Sequence, residues 1–188
     1  MDKKLLREII NSDLYRYLGK SSFLTFVRAF KFPGFKYSYF LRKCFFYKNQ
    51  GSKVKYLFFK LFLRKYTYKF GFDIPPDCNI GKGLYIGHFG RVIIHEDAEI
   101  GCNVNISPGV TIGQTNRGKN KGVPKIGNNV WIGTNAIIVG KIQIGNNVLI
   151  APGAFINFGV PDNAVVIGNP GKIVSYKGTE EYVCKRVE

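Results

Sequence analysis

Residues 126–156 read IGNNVWIGTNAIIVGKIQIGNNVLIAPGAFI, with isoleucine at 126, 132, 138, 144, 150 and 156. The step is six residues each time. Upstream the same step links Ile94, Ile100, Ile106 and Ile112. Glycine follows Ile112, Ile126, Ile132 and Ile144, and a small or branched residue stands four positions on at Val104, Val110, Val130, Ala136, Val148 and Ala154. A helical period of 3.6 cannot hold this pattern, and simple strand alternation does not explain a fixed six. A hexapeptide repeat does: each unit forms one short face of a triangular parallel β-coil, and three units close a turn. The isoleucines point into the prism, and Gly or Asn takes the corners, where positive φ is needed. Each rung buries its face only against the rungs above and below. The fold class is mainly β, a parallel β-helix of hexapeptide repeats behind a helical N-terminal segment.

The ladder begins at Ile80 and Ile86 and is interrupted twice. Ile94 stands eight residues after Ile86, so the stretch Gly87-His88-Phe89-Gly90-Arg91 carries two extra residues and should bulge. One of the two histidines of the chain sits there. Ile112 and Ile126 are fourteen apart, which reads as two regular repeats with a small excess. The polar, Gly-rich residues between them read as a protruding loop, the usual place for binding or chemistry on a stiff scaffold. After Ile156 the pattern decays, and a short tail is expected to close the exposed end. The expected division is 1–72 helical, 73–175 coil and 176–188 tail.

The net charge of +16 is unevenly placed. Residues 1–72 hold 17 Lys and Arg against 3 acidic residues, whereas the other 116 residues hold 11 against 9. The first segment also carries 21 of the 28 aromatic residues. Apolar spacing predicts a helix over 1–19, a second from a Ser21 or Ser22 cap to Lys31, a turn at Pro33-Gly34, and helices over 36–49 and 52–69. Such a segment fits peripheral contact with an anionic membrane, or a cap on the coil with solvated charges. Charge alone is weak support for nucleic acid, for which no binding signature is present. No secretory signal is read at the start, and no apolar run reaches the ~18 residues that span a bilayer. Cys44, Cys78, Cys102 and Cys184 lack metal spacing and read as reduced thiols, with Cys102 packing as a small hydrophobe. Two histidines cannot supply the three ligands of a carbonic-anhydrase-type metal site on such a coil, so no metal is expected.

The stretch from Phe72 to Ile173 resembles the left-handed β-helix acyltransferases of the serine acetyltransferase branch, and most closely its cousins from capsule, exopolysaccharide and colanic acid clusters. The strings that carry the resemblance are Asp73-Ile74-Pro75-Pro76, Ile86-Gly87-His88-Phe89-Gly90, Ile106-Ser107-Pro108-Gly109-Val110-Thr111-Ile112-Gly113, Pro124-Lys125-Ile126-Gly127 and Gly168-Asn169-Pro170-Gly171-Lys172. The resemblance implies a left-handed coil, a homotrimer with its site between neighbouring coils, and acetyl transfer from acetyl-CoA to a hydroxyl. His88 matches the general base, and a neutral imidazole is suited to taking a hydroxyl proton. Asp73 matches an acceptor-contacting acid, and Glu96 is a second carboxylate able to hold an imidazole. His95 reads as a groove-lining or surface residue. Gly113, Gly133, Thr134, Ala151 and Pro152 match positions along the pantetheine arm, and Lys172 matches a contact to the CoA phosphates. Lys125 and the Arg117-Lys119-Lys121 run are weaker phosphate candidates.

Two departures decide the acceptor at this stage. The serine enzymes carry Asp directly before the catalytic His, where this chain has Gly87, and a second His where it has Val123. The expected reaction is therefore acetylation of a sugar or lipid-linked glycan in surface polysaccharide synthesis, by a cytoplasmic protein held at the inner membrane face. The alternatives are a serine O-acetyltransferase of cysteine biosynthesis and a non-catalytic scaffold.

Overall fold

The computed structural model describes residues 2–188. Four helices precede the coil: α1 (Lys3–Leu18), α2 (Phe23–Ala29), α3 (Pro33–Asn49) and α4 (Lys53–Phe70). Ser22 caps α2 through a reciprocal capping box with Thr25. Pro33-Gly34 is not the turn expected from the sequence. It forms the first turn of α3, where the missing proline N–H has no helical partner to lose.

The left-handed coil has three parallel faces. Face A stacks β1 (Phe72–Asp73), β4 (Val92–Ile94), β7 (Thr111–Gly113), β10 (Ile137–Val139) and β13 (Phe155–Ile156). Face B stacks β2 (Asn79–Ile80), β5 (Glu99–Ile100), β8 (Lys125–Ile126) and β11 (Gln143–Ile144). Face C stacks β3 (Tyr85–Ile86), β6 (Asn105–Ile106), β9 (Trp131–Ile132), β12 (Leu149–Ile150) and β14 (Val165–Ile167), closed by antiparallel β15 (Lys172–Ser175). The isoleucine ladder is in register: Ile94 pairs Ile112, Ile112 pairs Ile138 and Ile138 pairs Ile156 on face A. Those four, with Val104, Val110, Val130, Ala136, Val148 and Ala154, are buried. Both sets of the six-residue pattern therefore form one continuous core.

The register corrects the reading of the second interruption. Ile112 on face A and Ile126 on face B lie on consecutive faces, so fourteen residues stand where one six-residue unit belongs. The excess is eight residues, not two. They form a hairpin closed by Thr115 and Gly122 and anchored by Asn120, whose side chain donates to Asn157 O at 2.7 Å. Nothing in a one-dimensional ladder distinguishes a skipped face from an inserted loop.

The helices cap the open start of the coil. β1, β2 and β3 are the edge strands of the three faces, and unpaired edge groups need partners. One buried side chain serves each edge. The Tyr37 hydroxyl donates to Ile74 O at 3.1 Å beside β1, Arg42 donates to Ile80 O and Gly81 O at β2, and Tyr17 serves β3. The Tyr17 hydroxyl donates to Ile86 O at 3.2 Å and accepts from Ile86 N at 3.0 Å. Asp13 completes the cap. It pairs with Arg42 at 3.0 Å and accepts from the backbone N–H groups of Gly83 and Leu84, both at 2.9 Å. Burial pushes the Tyr37 phenol up to about 12 and the Tyr17 phenol higher still, so both remain neutral donors.

The tail does not close the far end, as the decaying pattern implied. The β14–β15 hairpin does that, and residues 176–188 run back toward α1. Thr179 donates to Asn147 Oδ1 at 2.6 Å, Val187 N to Asn103 Oδ1 at 3.0 Å, and Lys185 to Tyr17 O at 3.0 Å.

Candidate active site

His88 lies in the bulge 87–91, at the corner where the chain passes from face C to face A. Its side chain is exposed, and the neighbouring Phe89 is 69% exposed. The bulge is held from below, with Gly90 N donating to Phe70 O at 2.9 Å and Val92 N to Gly71 O at 3.0 Å. Two residues before His88, Ile86 carries the Tyr17 clamp, and α3 presses on the same peptide. A Cβ on Gly34 would lie 2.0 Å from Ile86 O. The backbone on either side of the base candidate is thus held by α1, α3 and the end of α4.

The same C–A corner recurs in each turn as a vertical edge. Above His88 come Ser107-Pro108, then Gly133-Thr134, then Ala151-Pro152. Backbone bonds tie successive corners: Asn135 N to Pro108 O at 3.0 Å, and Gly153 N to Thr134 O at 2.8 Å. Gly133 is required there, because a Cβ would meet Pro152 N at 2.6 Å. Exposed Lys172 lies at the top of this column, in the strand after the Gly168-Asn169-Pro170-Gly171 turn. Four corner-to-corner steps separate the His88 level from the Gly168 level, about 19 Å at ~4.8 Å per rung. A column of small residues that long, with a base at one end and a cation at the other, suits an extended thioester arm ending in phosphates.

The remaining candidates fall elsewhere. Asp73 is exposed on face A, in register with Ile93, two residues beyond the Gly71 carbonyl that holds the bulge. Glu96 and His95 occupy the opposite corner, between faces A and B. The three-residue strand β4, about 10 Å long at 3.3 Å per residue, stands between Glu96 and His88. Among the described residues no hydrogen bond or ion pair joins His88 to Asp73 or Glu96. His95 Nδ1 instead accepts from Asp97 N at 3.2 Å. Gly113 ends β7 on the Glu96 side, where the 114–124 hairpin leaves. Lys125 pairs with Glu99 at 2.6 Å on face B, away from the column.

A cleft of 570 Å³ lies apart from this edge, lined by α1, α2 and α3 residues such as Arg7, Phe26 and Lys43. On a single chain the His88 edge is an open ledge. Among the described residues no three of His, Cys, Asp and Glu gather as a metal site. Cys44 and Cys78 are the buried thiols, pushed up to about 12 by desolvation, whereas Cys102 is only half-buried. The sequence signal missed Tyr17, Tyr37 and Gly34 as positioning groups, because in the helical pattern they are ordinary stripe or turn residues.

A triangular parallel coil with buried isoleucine rungs is the fold of the hexapeptide-repeat acyltransferases, and the chain belongs to that family. Residues 124–157 match the bacterial transferase hexapeptide model of six repeats. The chain is 38% identical over 127 residues to a serine acetyltransferase of Staphylococcus xylosus, covering 68% of this chain and 59% of that protein. It thus spans a little over half the length of that curated relative. It is also similar to the crystal structure of Neisseria gonorrhoeae serine acetyltransferase in complex with serine. The TM-score is 0.74 and the identity 30%, over 92% of this chain and 70% of that one. The Brucella abortus serine acetyltransferase complex with coenzyme A aligns with a TM-score of 0.74 and 28% identity, over 93% and 68% of the two chains.

These relatives overturn the polysaccharide reading. The departures at Gly87 and Val123 stand against 38% identity to a serine acetyltransferase over 127 residues and a structural likeness to another over 92% of this chain, which takes in the helices as well as the coil. Neither the capsule and colanic acid branch nor a glycan acceptor has support among them.

Proposed function

We propose that this chain is an acetyl-CoA-dependent O-acetyltransferase with serine as acceptor. The observation that carries the proposal is the C–A column with His88 at its foot, in a chain similar over 92% of its length to a serine-bound serine acetyltransferase. His88 takes the proton of the serine hydroxyl as its oxygen attacks the thioester carbonyl. The tetrahedral intermediate collapses, the C–S bond breaks, and the imidazolium returns the proton to the departing CoA sulfur. The products are O-acetylserine and CoA. Backbone N–H groups of the bulge other than that of Gly90, which donates to Phe70 O, are the candidate donors to the oxyanion, where one such donor is worth roughly 10²–10³ in rate.

Asp73 pairs with the serine ammonium. Gly133, Thr134, Ala151 and Pro152 flank the pantetheine arm, and Lys172 meets the phosphates. The second wall of the open ledge is the Glu96, Gly113 and 114–124 side of a neighbouring coil, so the working unit is a homotrimer. The test is acetyl-CoA-dependent thiol release with and without serine. Serine-dependent turnover that disappears in His88→Ala supports the proposal, and CoA binding without serine-dependent turnover overturns it.

A further inference from the structure

The helical cap uses only one side of α4. Its inner side packs Tyr56, Phe59, Leu63, Tyr66 and Phe70 against α3 and the coil. The opposite side is also apolar: Val54, Leu57, Phe58, Leu61 and Tyr68 are 81, 57, 54, 70 and 75% exposed. At 100° per residue these five fall within one arc of about 100°, centred opposite the buried stripe. Lys53, Lys60 and Arg64 border one flank of the arc, Lys55 and Lys69 the other, and Lys65 lies within it. No Asp or Glu occurs in the helix. Lys60 lies 5.3 Å from the Tyr56 ring and Arg64 5.8 Å from the Tyr68 ring. Arg64 thus stays beside the apolar arc, where it can accompany it into an interface, while Lys60 lies against a ring at the arc's flank.

An ordinary solvated helix face does not carry five exposed apolar residues in line. We infer that this face of α4 docks on an anionic lipid surface, with the apolar arc in the headgroup layer and the two basic flanks on lipid phosphates. A second copy of the chain is the weaker occupant. It would set six cations against six with no carboxylate on either helix to offset them. No described helix is long and apolar enough to cross a membrane, so the contact is peripheral. The inference depends on neither the acceptor nor His88.

The test is co-sedimentation of the full chain with vesicles of phosphatidylcholine alone and with phosphatidylglycerol added, across a salt series. Binding is expected only to the anionic vesicles, weakening as salt screens the contact. Lys60→Glu with Arg64→Glu, and separately Leu57→Ser with Leu61→Ser, should each weaken it at least ~10-fold while helix content by circular dichroism stays unchanged. Equal binding to both vesicle types, or none to either, overturns the inference. So does a concentration-dependent assembly, seen by light scattering, that Leu57→Ser with Leu61→Ser abolishes in the absence of lipid.

Discussion

Two edges of the same prism are built from the same repeat and put to opposite uses. At the edge between faces B and C, Asn103, Asn129, Asn147 and Asn163 all adopt the left-handed conformation. Their side chains are bonded from turn to turn: Asn103 to Asn129 at 3.1 Å and Asn147 to Asn163 at 2.8 Å. Beside them Cys102 N donates to Asn128 Oδ1, Asn128 N to Asn146 Oδ1 and Asn146 N to Asp162 Oδ1. Asp13 and Arg42 finish this edge at the bottom, and the tail straps it along its length. At the edge between faces C and A the corners above the His88 level are tied by backbone bonds, Asn135 N to Pro108 O and Gly153 N to Thr134 O, with no ladder of side-chain amides. The first edge is satisfied internally, and the second is the one to which we assign the ligand.

The largest effect that separates them is on rate. His88→Ala should lower kcat by about 10²–10⁴-fold with little change in melting temperature, since its side chain is exposed. Unchanged turnover would assign the open edge a role without chemistry. Next comes Asp13→Ala, which leaves Arg42 and two backbone N–H groups without their partner. Breaking a buried pair in this way costs about 3–5 kcal/mol, read as a lower urea midpoint. A variant as stable as the wild type would show that the cap is dispensable to the bonded edge.

Tyr17→Phe crosses the comparison, because its hydroxyl is structural while its target lies two residues from His88. The expected loss is about 1–3 kcal/mol from the unsatisfied Ile86 groups, with a lower kcat and an unchanged KM for acetyl-CoA. A change in KM alone would place the clamp outside the positioning of His88. Asn129→Ala should cost about 1–2 kcal/mol through left-handed strain on a residue with a Cβ and no local bond, and should leave turnover intact.

The smallest effect is on pH dependence. Cys44 and Cys78, at the junction of cap and coil, ionise near 9 when unfolded and near 12 when folded. The folded chain therefore retains protons that the unfolded chain loses. The stability contribution is complete below pH 9 and falls away as pH rises toward 12. By pH 10 each thiol should weaken folding by roughly 1 kcal/mol, and Cys44→Ala with Cys78→Ala should flatten the decline in melting temperature.

Sequence alone determined the coil, because a six-residue period leaves no other way to bury ten isoleucines. It also singled out His88, since a histidine in a two-residue excess cannot occupy a rung. Only the tertiary structure decided which turn each residue joins. Register turned the second interruption into an eight-residue hairpin, separated Glu96 from His88 by the width of face A, and gathered Gly133, Thr134, Ala151 and Pro152 into one column. The capping roles of Tyr17, Tyr37, Asp13 and Arg42 were equally out of reach. Their partners are backbone groups of three edge strands 37 to 71 residues away, and no local pattern encodes a hydrogen bond to an edge that exists only after the coil has closed.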